Sequence, residues 1–393
     1  MKRVRIGLIG TGFAAAIHAE AYHKVCGVEV QLVACSSVDP RAAEFARRFH
    51  FAEVVPDWQE LIRRPDLDLV DNTTPTVPHP PWVRAAAAAG KNVVCEKPLS
   101  GYFGRPGDPE PLGERVDRAV MLEAVRGELE SVREGLRKAG VIFCYAENWV
   151  YAPPVTKAKR VLAATGSTIL SQRAEEAHSG SHASYAREWR LAGGGSLLRQ
   201  GAHPVATVIH MKHHEGLLKG QGLIRVKSVV GDVGNVLQLP GVAEEGGAWL
   251  ATGPTDVEDW ASATLTFTDG TKAVVVAADS ILGGIRNQLE VFLSRGVVRC
   301  NMNPNDAVML YTPSAEVLGD EYVAEKVETK GGWQYAAPDE DWMRGYPHEL
   351  QDFVECVAEG REPVSGLELA CETAEVVYAA YLSAQEGRRV DLR

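Results

Sequence analysis

The sequence has no paired cysteines, no long apolar run and no excess of positive charge. Its seven cysteines (26, 35, 95, 144, 300, 356 and 371) are odd in number, scattered, and never spaced C-x-x-C. That excludes a disulfide framework and points to reduced thiols in a cytoplasmic protein. No stretch approaches the roughly 20 apolar residues of a membrane-spanning helix, so no membrane partner is expected. The start, Met1-Lys2-Arg3-Val4-Arg5-Ile6, carries the charge of a secretion signal but not its apolar core, because Gly10, Thr11 and Gly12 interrupt it. Acidic residues outnumber basic ones, 52 to 41, for a formal charge of −11. Such a chain repels phosphate backbones, which argues against a nucleic acid partner. There is no internal repeat and no low-complexity segment.

What is present is an ordinary globular composition, 45% hydrophobic and 24% charged, over 393 residues. At about 100–200 residues per domain that length holds two domains or three. Residues 4–9 read as a short buried strand. Gly10-Thr11-Gly12-Phe13-Ala14-Ala15 follows directly and opens a helix reaching to about residue 25. This is G-x-G-x-x-A in the setting that makes it informative. The first glycine permits the tight turn, the second lets a pyrophosphate approach the backbone, and the small third position lets helix and strand pack. The helix N-terminus offers free N–H groups to the phosphates.

A second strand is expected at residues 30–35. Its end carries Ser36-Ser37 and no carboxylate, where a site selecting NAD usually places Asp or Glu. Two serines suit a ribose or a 2′-phosphate, and Arg41 could help a phosphate, so the cofactor is NAD or NADP. Asp39, with Pro40, reads as the cap of a helix over residues 41–50. Further strands at 54–55, 67–73 and 92–95 alternate with helices at 57–62 and 81–89. The result is a doubly wound parallel sheet, which binds ligands at the carboxyl ends of its strands. Gly10–Ala15, Ser36-Ser37, Thr73-Thr74-Pro75 and Glu96-Lys97-Pro98 all fall at such ends.

These residues resemble the Gfo/Idh/MocA oxidoreductases, named for glucose–fructose oxidoreductase and inositol dehydrogenase. The matching pieces are Gly10–Ala15, Pro75-x-x-x-His79, the run from Gly90 through Glu96-Lys97-Pro98, Ala146-Glu147-Asn148, Gly193-Gly194-Gly195-Ser196-Leu197, Gly201-Ala202-His203 and the ending around Ser383–Val390. They cover nearly the whole chain, and Glu-Lys-Pro after an alanine helix and a Gly-Lys turn is the most specific. The resemblance implies an α/β protein: an N-terminal Rossmann domain over residues 1–147, with a doubly wound parallel sheet, and a C-terminal α+β domain over 148–393. It places Gly10, Thr11, Gly12, Phe13, Ala14, Ser36, Ser37, Arg41, Thr73, Thr74, Pro75, His79, Glu96, Lys97 and Asn148 around the dinucleotide.

The resemblance also assigns proton handling to Lys97, with Glu96 and Pro98 fixing its backbone, and brings His203 to the substrate. A lysine near a nicotinamide and a sugar hydroxyl can polarise the reacting oxygen or take its proton. The family's segment usually reads Gly-Gly-Gly-x-Leu-x-Asp-x-Gly-x-His. Here Arg199 stands at the aspartate position. A guanidinium is no proton acceptor at neutral pH, but it is a good bidentate donor to a carboxylate. Arg199 therefore hints at an anionic substrate; an ion pair with a carboxylate of the protein is the competing reading. Lys97, Asn148, Tyr151, His178, His182, Trp189, Arg199 and His203 make up the expected substrate set. His178 and His182 have i, i+4 spacing, and with His203 they have the residue types of a metal site. Metal is not a general requirement of the family and none is expected; substrate hydroxyls or a plain surface loop are the other readings. His210, His213 and His214 read as exposed residues in the last turn of a helix.

Residues 101–112, rich in Gly and Pro, look like an insertion after Glu-Lys-Pro, either a lid over the site or an inert loop. A long helix is expected at 115–139, a strand at 141–145, and helices at 155–164, 348–359 and 367–385. Between residues 168 and 311 short strands repeat, with Asp269-Gly270 a hairpin turn between two of them. This reads as a large, mostly antiparallel sheet, and the resemblance implies a homo-oligomer, dimer or tetramer, formed through it. Three functions fit. The first is an NAD(P)-dependent oxidoreductase moving hydride between the nicotinamide and a hydroxyl carbon of a sugar, polyol, glycoside or sugar acid. The second is a redox-neutral isomerase or glycosidase with a tightly held cofactor. The third is a non-catalytic dinucleotide sensor, against which Lys97 argues.

Overall fold

The computed structural model describes residues 1–181, 183–244, 249–250, 255–303 and 308–392. β1 (Arg3–Ile9) is buried along most of its length, as befits a central strand covered on both faces. The alternation continues through α1 (Phe13–Tyr22), β2 (Glu29–Ser36), α2 (Ala42–Arg48), β3 (Glu53–Val54), α3 (Trp58–Arg63), β4 (Leu69–Asn72), α4 (His79–Ala88) and β5 (Asn92–Glu96). After α5 (Leu112–Arg115) come α6 (Arg118–Ala139), β6 (Phe143–Ala146) and α7 (Pro153–Thr165). The rest of the chain runs β7 (Ile169–Ala177), α8 (Trp189–Ala192), α9 (Ser196–Arg199), α10 (Ala202–Leu218), β8 (Val226–Gly234) and α11 (Pro240–Glu244). Then come β9 (Trp260–Phe267), β10 (Lys272–Ala278), β11 (Arg286–Leu293), β12 (Gly296–Asn301), β13 (Val308–Thr312), β14 (Gly332–Ala336), α12 (Glu340–Arg344), α13 (Tyr346–Glu359), α14 (Leu367–Glu386) and β15 (Val390–Asp391).

The chain forms two compact units that interleave in sequence. The first takes Met1–Gly101, Glu123–Tyr151 and Gly345–Ala374; the second takes Tyr102–Leu122, Ala152–Arg344 and Glu375–Arg393. In the first, six strands lie in the order β3-β2-β1-β4-β5-β6, all parallel. The order reverses direction at β1, so the β1–β4 boundary is the switch point where this architecture binds ligands. α13 packs on α1 and buries Leu350, Phe353, Val354 and Cys356 completely. The sheet ends with β6 at Ala146, the first unit runs on to Tyr151, and the return of residues 345–374 adds the helix that covers α1.

The second unit holds a seven-stranded sheet, β12-β11-β7-β10-β9-β8-β15. Its pairings are antiparallel except β7 with β10. The Asp269-Gly270 turn joins β9 to β10 as expected: Gly270 adopts φ +87°, open to glycine, and the Asp269 carboxylate accepts the Thr271 N–H at 3.1 Å. The helix expected over 115–139 starts three residues later, at Arg118. Val116 is extended and Asp117 accepts the Ala119 N–H at 2.7 Å, so α6 begins afresh behind an aspartate cap. The reading of His210 and His213 as exposed is corrected. α10 runs on to Leu218 with both rings buried, and burial pushes the His210 imidazole well below its ordinary pKa.

Candidate active site

In the first unit the dinucleotide loop is shaped by Gly10. Its φ of +104° suits glycine, and a Cβ there would stand 2.9 Å from the Thr73 hydroxyl and 3.1 Å from the Thr73 carbonyl. The Gly10 N–H donates to Ser36 O at 2.8 Å, which closes the turn. Gly12, the residue before α1, has nothing of the protein within 4 Å of where its Cβ would be. No side chain caps α1 and no acidic residue sits in its first turn. The helix end therefore offers bare N–H groups to an anion beside an open space, which fits a pyrophosphate. Phe13 is 70% exposed over this loop.

At the end of β2 the Thr11 hydroxyl donates to Ser37 Oγ at 2.8 Å, and the Asp39 N–H donates to the same oxygen at 3.1 Å. Arg41 is held by Asp39 through Nε at 3.2 Å and Nη2 at 2.9 Å. The expected phosphate helper is thus neutralised by a carboxylate of the same loop. At the end of β4 the Thr73 hydroxyl donates to Ile9 O at 3.0 Å, and the Thr74 hydroxyl donates to Asn72 Oδ1 at 2.7 Å; Pro75 is exposed. His79 is wholly buried, with Nε2 2.8 Å from Thr74 O and Nδ1 2.9 Å from Pro98 O. It ties the β4 rim to the β5 rim.

Lys97 follows β5 and is half-buried. Its N–H donates to Glu96 Oε2 at 2.9 Å. Asn148 and Tyr151 follow β6, both buried. The Tyr151 hydroxyl donates to Asp352 at 2.8 Å and accepts the Ser365 N–H at 2.9 Å. Its proton is committed within the first unit, so Tyr151 is a brace there.

In the second unit the glycine triplet sits against Glu258. That carboxylate accepts N–H groups from Gly195 at 3.0 Å and Leu197 at 2.8 Å, and the Tyr381 hydroxyl at 2.8 Å. A Cβ on Gly195 would fall 1.9 Å from Glu258 O, so only glycine fits. Trp189, one of the expected substrate residues, is 1% exposed, with Arg118 stacked 4.0 Å over its ring and the Tyr381 ring at 5.0 Å. Nor is the 101–112 insertion a free cover. Tyr102 donates its N–H to Tyr378 Oη at 2.6 Å, Tyr378 bonds Gly193 O, and Gly113 donates to Asp256 at 3.0 Å.

His203 opens α10, 6% exposed, with Nε2 4.0 Å from Glu176 of β7. His178 accepts the Gly180 N–H on Nδ1 at 2.9 Å, which leaves its proton on Nε2. His182 lies outside the described residues. Arg199 is ion-paired with Asp279, which also accepts from Gln200. The ion-pair reading of Arg199 is therefore the one observed. Asp279 was not singled out from sequence. The available signal was a carboxylate ending the apolar run of β10; what was missing was the parallel pairing of β7 with β10, which brings both strand ends together. A cavity of about 30 Å³ here, bordered by Ser181, Arg187, Arg199, Gln238, Asp259 and Asp279, has room for water and not for a sugar. Among the described residues no group of three or more His, Cys, Asp or Glu is arranged to hold a metal, and no helix is long and apolar enough to cross a membrane.

A Rossmann unit with an open loop before α1 and a mixed-sheet unit following it in the chain define a two-unit α/β protein with a dinucleotide loop. Residues 4–105 match the family model described as the oxidoreductase family with an NAD-binding Rossmann fold, and residues 168–299 match the model of the GFO/IDH/MocA C-terminal domain. The chain belongs to the Gfo/Idh/MocA family. It is 38% identical over 107 residues to levoglucosan dehydrogenase of Pseudarthrobacter phenanthrenivorans, covering 25% of this chain and 27% of that protein. It is 46% identical over 101 residues to inositol 2-dehydrogenase of Acidothermus cellulolyticus, covering 25% and 29%. A mouse trans-1,2-dihydrobenzene-1,2-diol dehydrogenase matches at 28% over 243 residues, 61% of this chain and 66% of that protein. The matches thus span under a third of the first two relatives. Among solved structures, GenD2 from gentamicin A biosynthesis in complex with NAD aligns over 100% of this chain and 97% of its own at a TM-score of 0.78 and 24% identity. Levoglucosan dehydrogenase in complex with NADH and levoglucosan aligns over 99% of each chain at 0.71 and 22%. These likenesses establish the fold.

Proposed function

We propose that the protein is an NAD-dependent dehydrogenase acting on a hydroxyl carbon of a neutral sugar, polyol or glycoside. The observation that carries this reading is the rim of the first unit, where the bare N-terminus of α1 and the Glu96-Lys97-Pro98 turn stand at strand ends of one parallel sheet. When bound, the nicotinamide accepts or returns the hydride. Gly10 and Gly12 admit the pyrophosphate, and the Asp39–Arg41 pair, leaving no surplus cation at the β2 end, favours a ribose hydroxyl over a 2′-phosphate. Glu96 fixes the Lys97 backbone, and Lys97 Nζ takes the proton of the substrate hydroxyl. In the second unit His203, beside Glu176, is suited to exchange a proton, and His178 offers an Nε2–H to a hydroxyl. The Arg199–Asp279 pair carries no net charge, which removes the main reason to expect an acidic substrate.

The reading extends to a homo-oligomer formed through the seven-stranded sheet. Leu170, Val230, Val274 and Val297 stand exposed on its strands. Seven free cysteines, six of them buried, suit a reducing cytoplasm.

Purified enzyme offered NAD with a panel of polyols, anhydrosugars and sugar acids should accumulate NADH with neutral members. Lys97→Ala should lose on the order of a hundred- to ten-thousand-fold in turnover while binding NADH normally in a calorimetric titration. A fully active Lys97→Ala enzyme, or turnover confined to sugar acids, would overturn the reading.

A further inference from the structure

Behind the cofactor rim of the first unit lies a buried ionisable cluster that the reaction as described does not use. His18, on α1, is 0% exposed. Its Nδ1 is 2.8 Å from Asp71 Oδ2 of β4, and its Nε2 is 3.2 Å from Glu96 Oε1 at the end of β5. Tyr22, on the next turn of α1, donates its hydroxyl to the same Asp71 oxygen at 2.8 Å. The other oxygen of Glu96 accepts the Lys97 N–H at 2.9 Å. A continuous line therefore runs Tyr22–Asp71–His18–Glu96–Lys97, across two strands and one helix, and ends on the backbone of the lysine.

The chemistry of the line is asymmetric. His18 is hydrogen-bonded through Nδ1 to Asp71, while its Nε2 lies at ion-pair distance from Glu96 without hydrogen-bond geometry, so a charged ring is stabilised by carboxylates on both sides. Burial by itself would strip that proton, but Asp71 and Glu96 outweigh it and hold the His18 pKa well above its ordinary value. Around this cation the remaining acids are placed differently. Glu349 of α13 is fully buried, and neither of its oxygens has a hydrogen-bond partner. Burial, with Glu96, Glu147 and Asp71 nearby, pushes its pKa well up despite His18. A buried cation 3.2 Å from one oxygen of Glu96 restrains that carboxylate by charge, and the other oxygen holds the following N–H.

We propose that His18 is a positioning residue for Lys97, clamping Glu96 so that the Glu96–Lys97 hydrogen bond fixes the departure of the Lys97 side chain from the strand end. The inference rests on the assignment of Lys97 to proton handling. His18 touches neither the reacting atoms nor the open loop at Gly12; it acts through Glu96. A displacement of a proton-handling group by about 1 Å costs on the order of a hundredfold in turnover.

The test uses His18→Gln and Glu96→Gln in the full-length protein. His18→Gln removes the imidazolium from beside buried Asp71 and Glu96, so it is first checked for a wild-type NADH dissociation constant, which requires a folded first unit. The expected result is a fall in kcat of about ten- to a hundredfold in both variants, with KM for the best polyol of the panel and NADH affinity unchanged in His18→Gln. A second readout does not depend on turnover. Lysines are reductively methylated with 13C-formaldehyde, the Lys97 resonance is identified by its absence in Lys97→Ala, and its titration is followed by NMR. That resonance should shift or split in both variants. Should His18→Gln fail to fold, Glu96→Gln and the Lys97 resonance decide alone. Wild-type kcat with an unmoved Lys97 resonance would overturn the proposal, as would parallel loss of NADH binding and turnover, the mark of a merely structural histidine. Lys97→Ala separates the two claims. If it is inactive while His18→Gln is fully active, only the positioning role falls; if it is active, the assignment of Lys97 falls and the His18 inference with it.

Discussion

Gly10 and Gly12 do different work, and their substitutions should part accordingly. A Cβ on Gly10 meets Thr73, so a change there strains the turn itself. A Cβ on Gly12 meets no protein atom. Gly12→Val should therefore leave the melting temperature unchanged and abolish NADH binding in a calorimetric titration; retained affinity would show that the pyrophosphate lies elsewhere. Asp39 sets the second residue-scale expectation. Asp39→Ser keeps a short capping side chain for the Arg41 N–H and releases the guanidinium. One new charge-assisted hydrogen bond to a 2′-phosphate is worth roughly 1.5–3 kcal/mol, so NADP affinity should rise about tenfold or more with NAD affinity little changed. Equal changes for the two cofactors would place Asp39 away from the adenosine ribose.

At the scale of elements, β1 and the chain entering β4 are fastened by Arg5 and Asp68. The guanidinium grips the carboxylate through Nε at 3.0 Å and Nη2 at 2.8 Å, and the Arg5 N–H adds a third bond at 2.8 Å. The hydrogen-bonded Arg5 side chain holds the Asp68 pKa below the ordinary carboxylate range, against a smaller opposing effect of burial. A carboxylate whose folded pKa is depressed stabilises the fold above its unfolded pKa, about 3.9, and loses that contribution as pH falls through the folded value. Asp68→Asn should thus lower stability at pH 7 and flatten the loss of stability on acidification below about pH 4. Urea melts across that range check it, and an unchanged acid limb would deny the pair its role. The contribution is modest, because both side chains are about a third exposed.

At the scale of the whole molecule, the first unit is closed by sequence far from its sheet. α13 covers α1, Gln351 bonds the backbone of Cys26 at 2.8 Å in both directions, and Asp352 receives Tyr151. Each fully buried side chain that α13 contributes is worth roughly 1.5–3 kcal/mol. A fragment ending at Glu147 should therefore show no cooperative urea transition by far-UV circular dichroism, whereas the full chain should. A sharp transition in the fragment would mean that the sheet and its own helices suffice. Most of the first unit was legible in the sequence: alternating apolar runs gave the strands, and Gly10–Ala15 and Glu96–Pro98 marked their ends. The site in the second unit was less legible. The two readings of Arg199, anion binder or ion pair, were parted only when Asp279, at the end of a strand eighty residues on, was brought beside it, and the enclosure of the Trp189 ring by Arg118 and Tyr381 has no counterpart in the local sequence. The sequence by itself determined what depends on neighbours along the chain: helix and strand periods, the dinucleotide turn, the hairpin at Asp269-Gly270 and the sign of the net charge. Tertiary structure alone decided which carboxylate meets which cation, because an ion pair or a buried hydrogen bond is set by distances between strand ends that no local pattern encodes. The parallel pairing of β7 with β10 and the return of α13 over α1 fixed those distances.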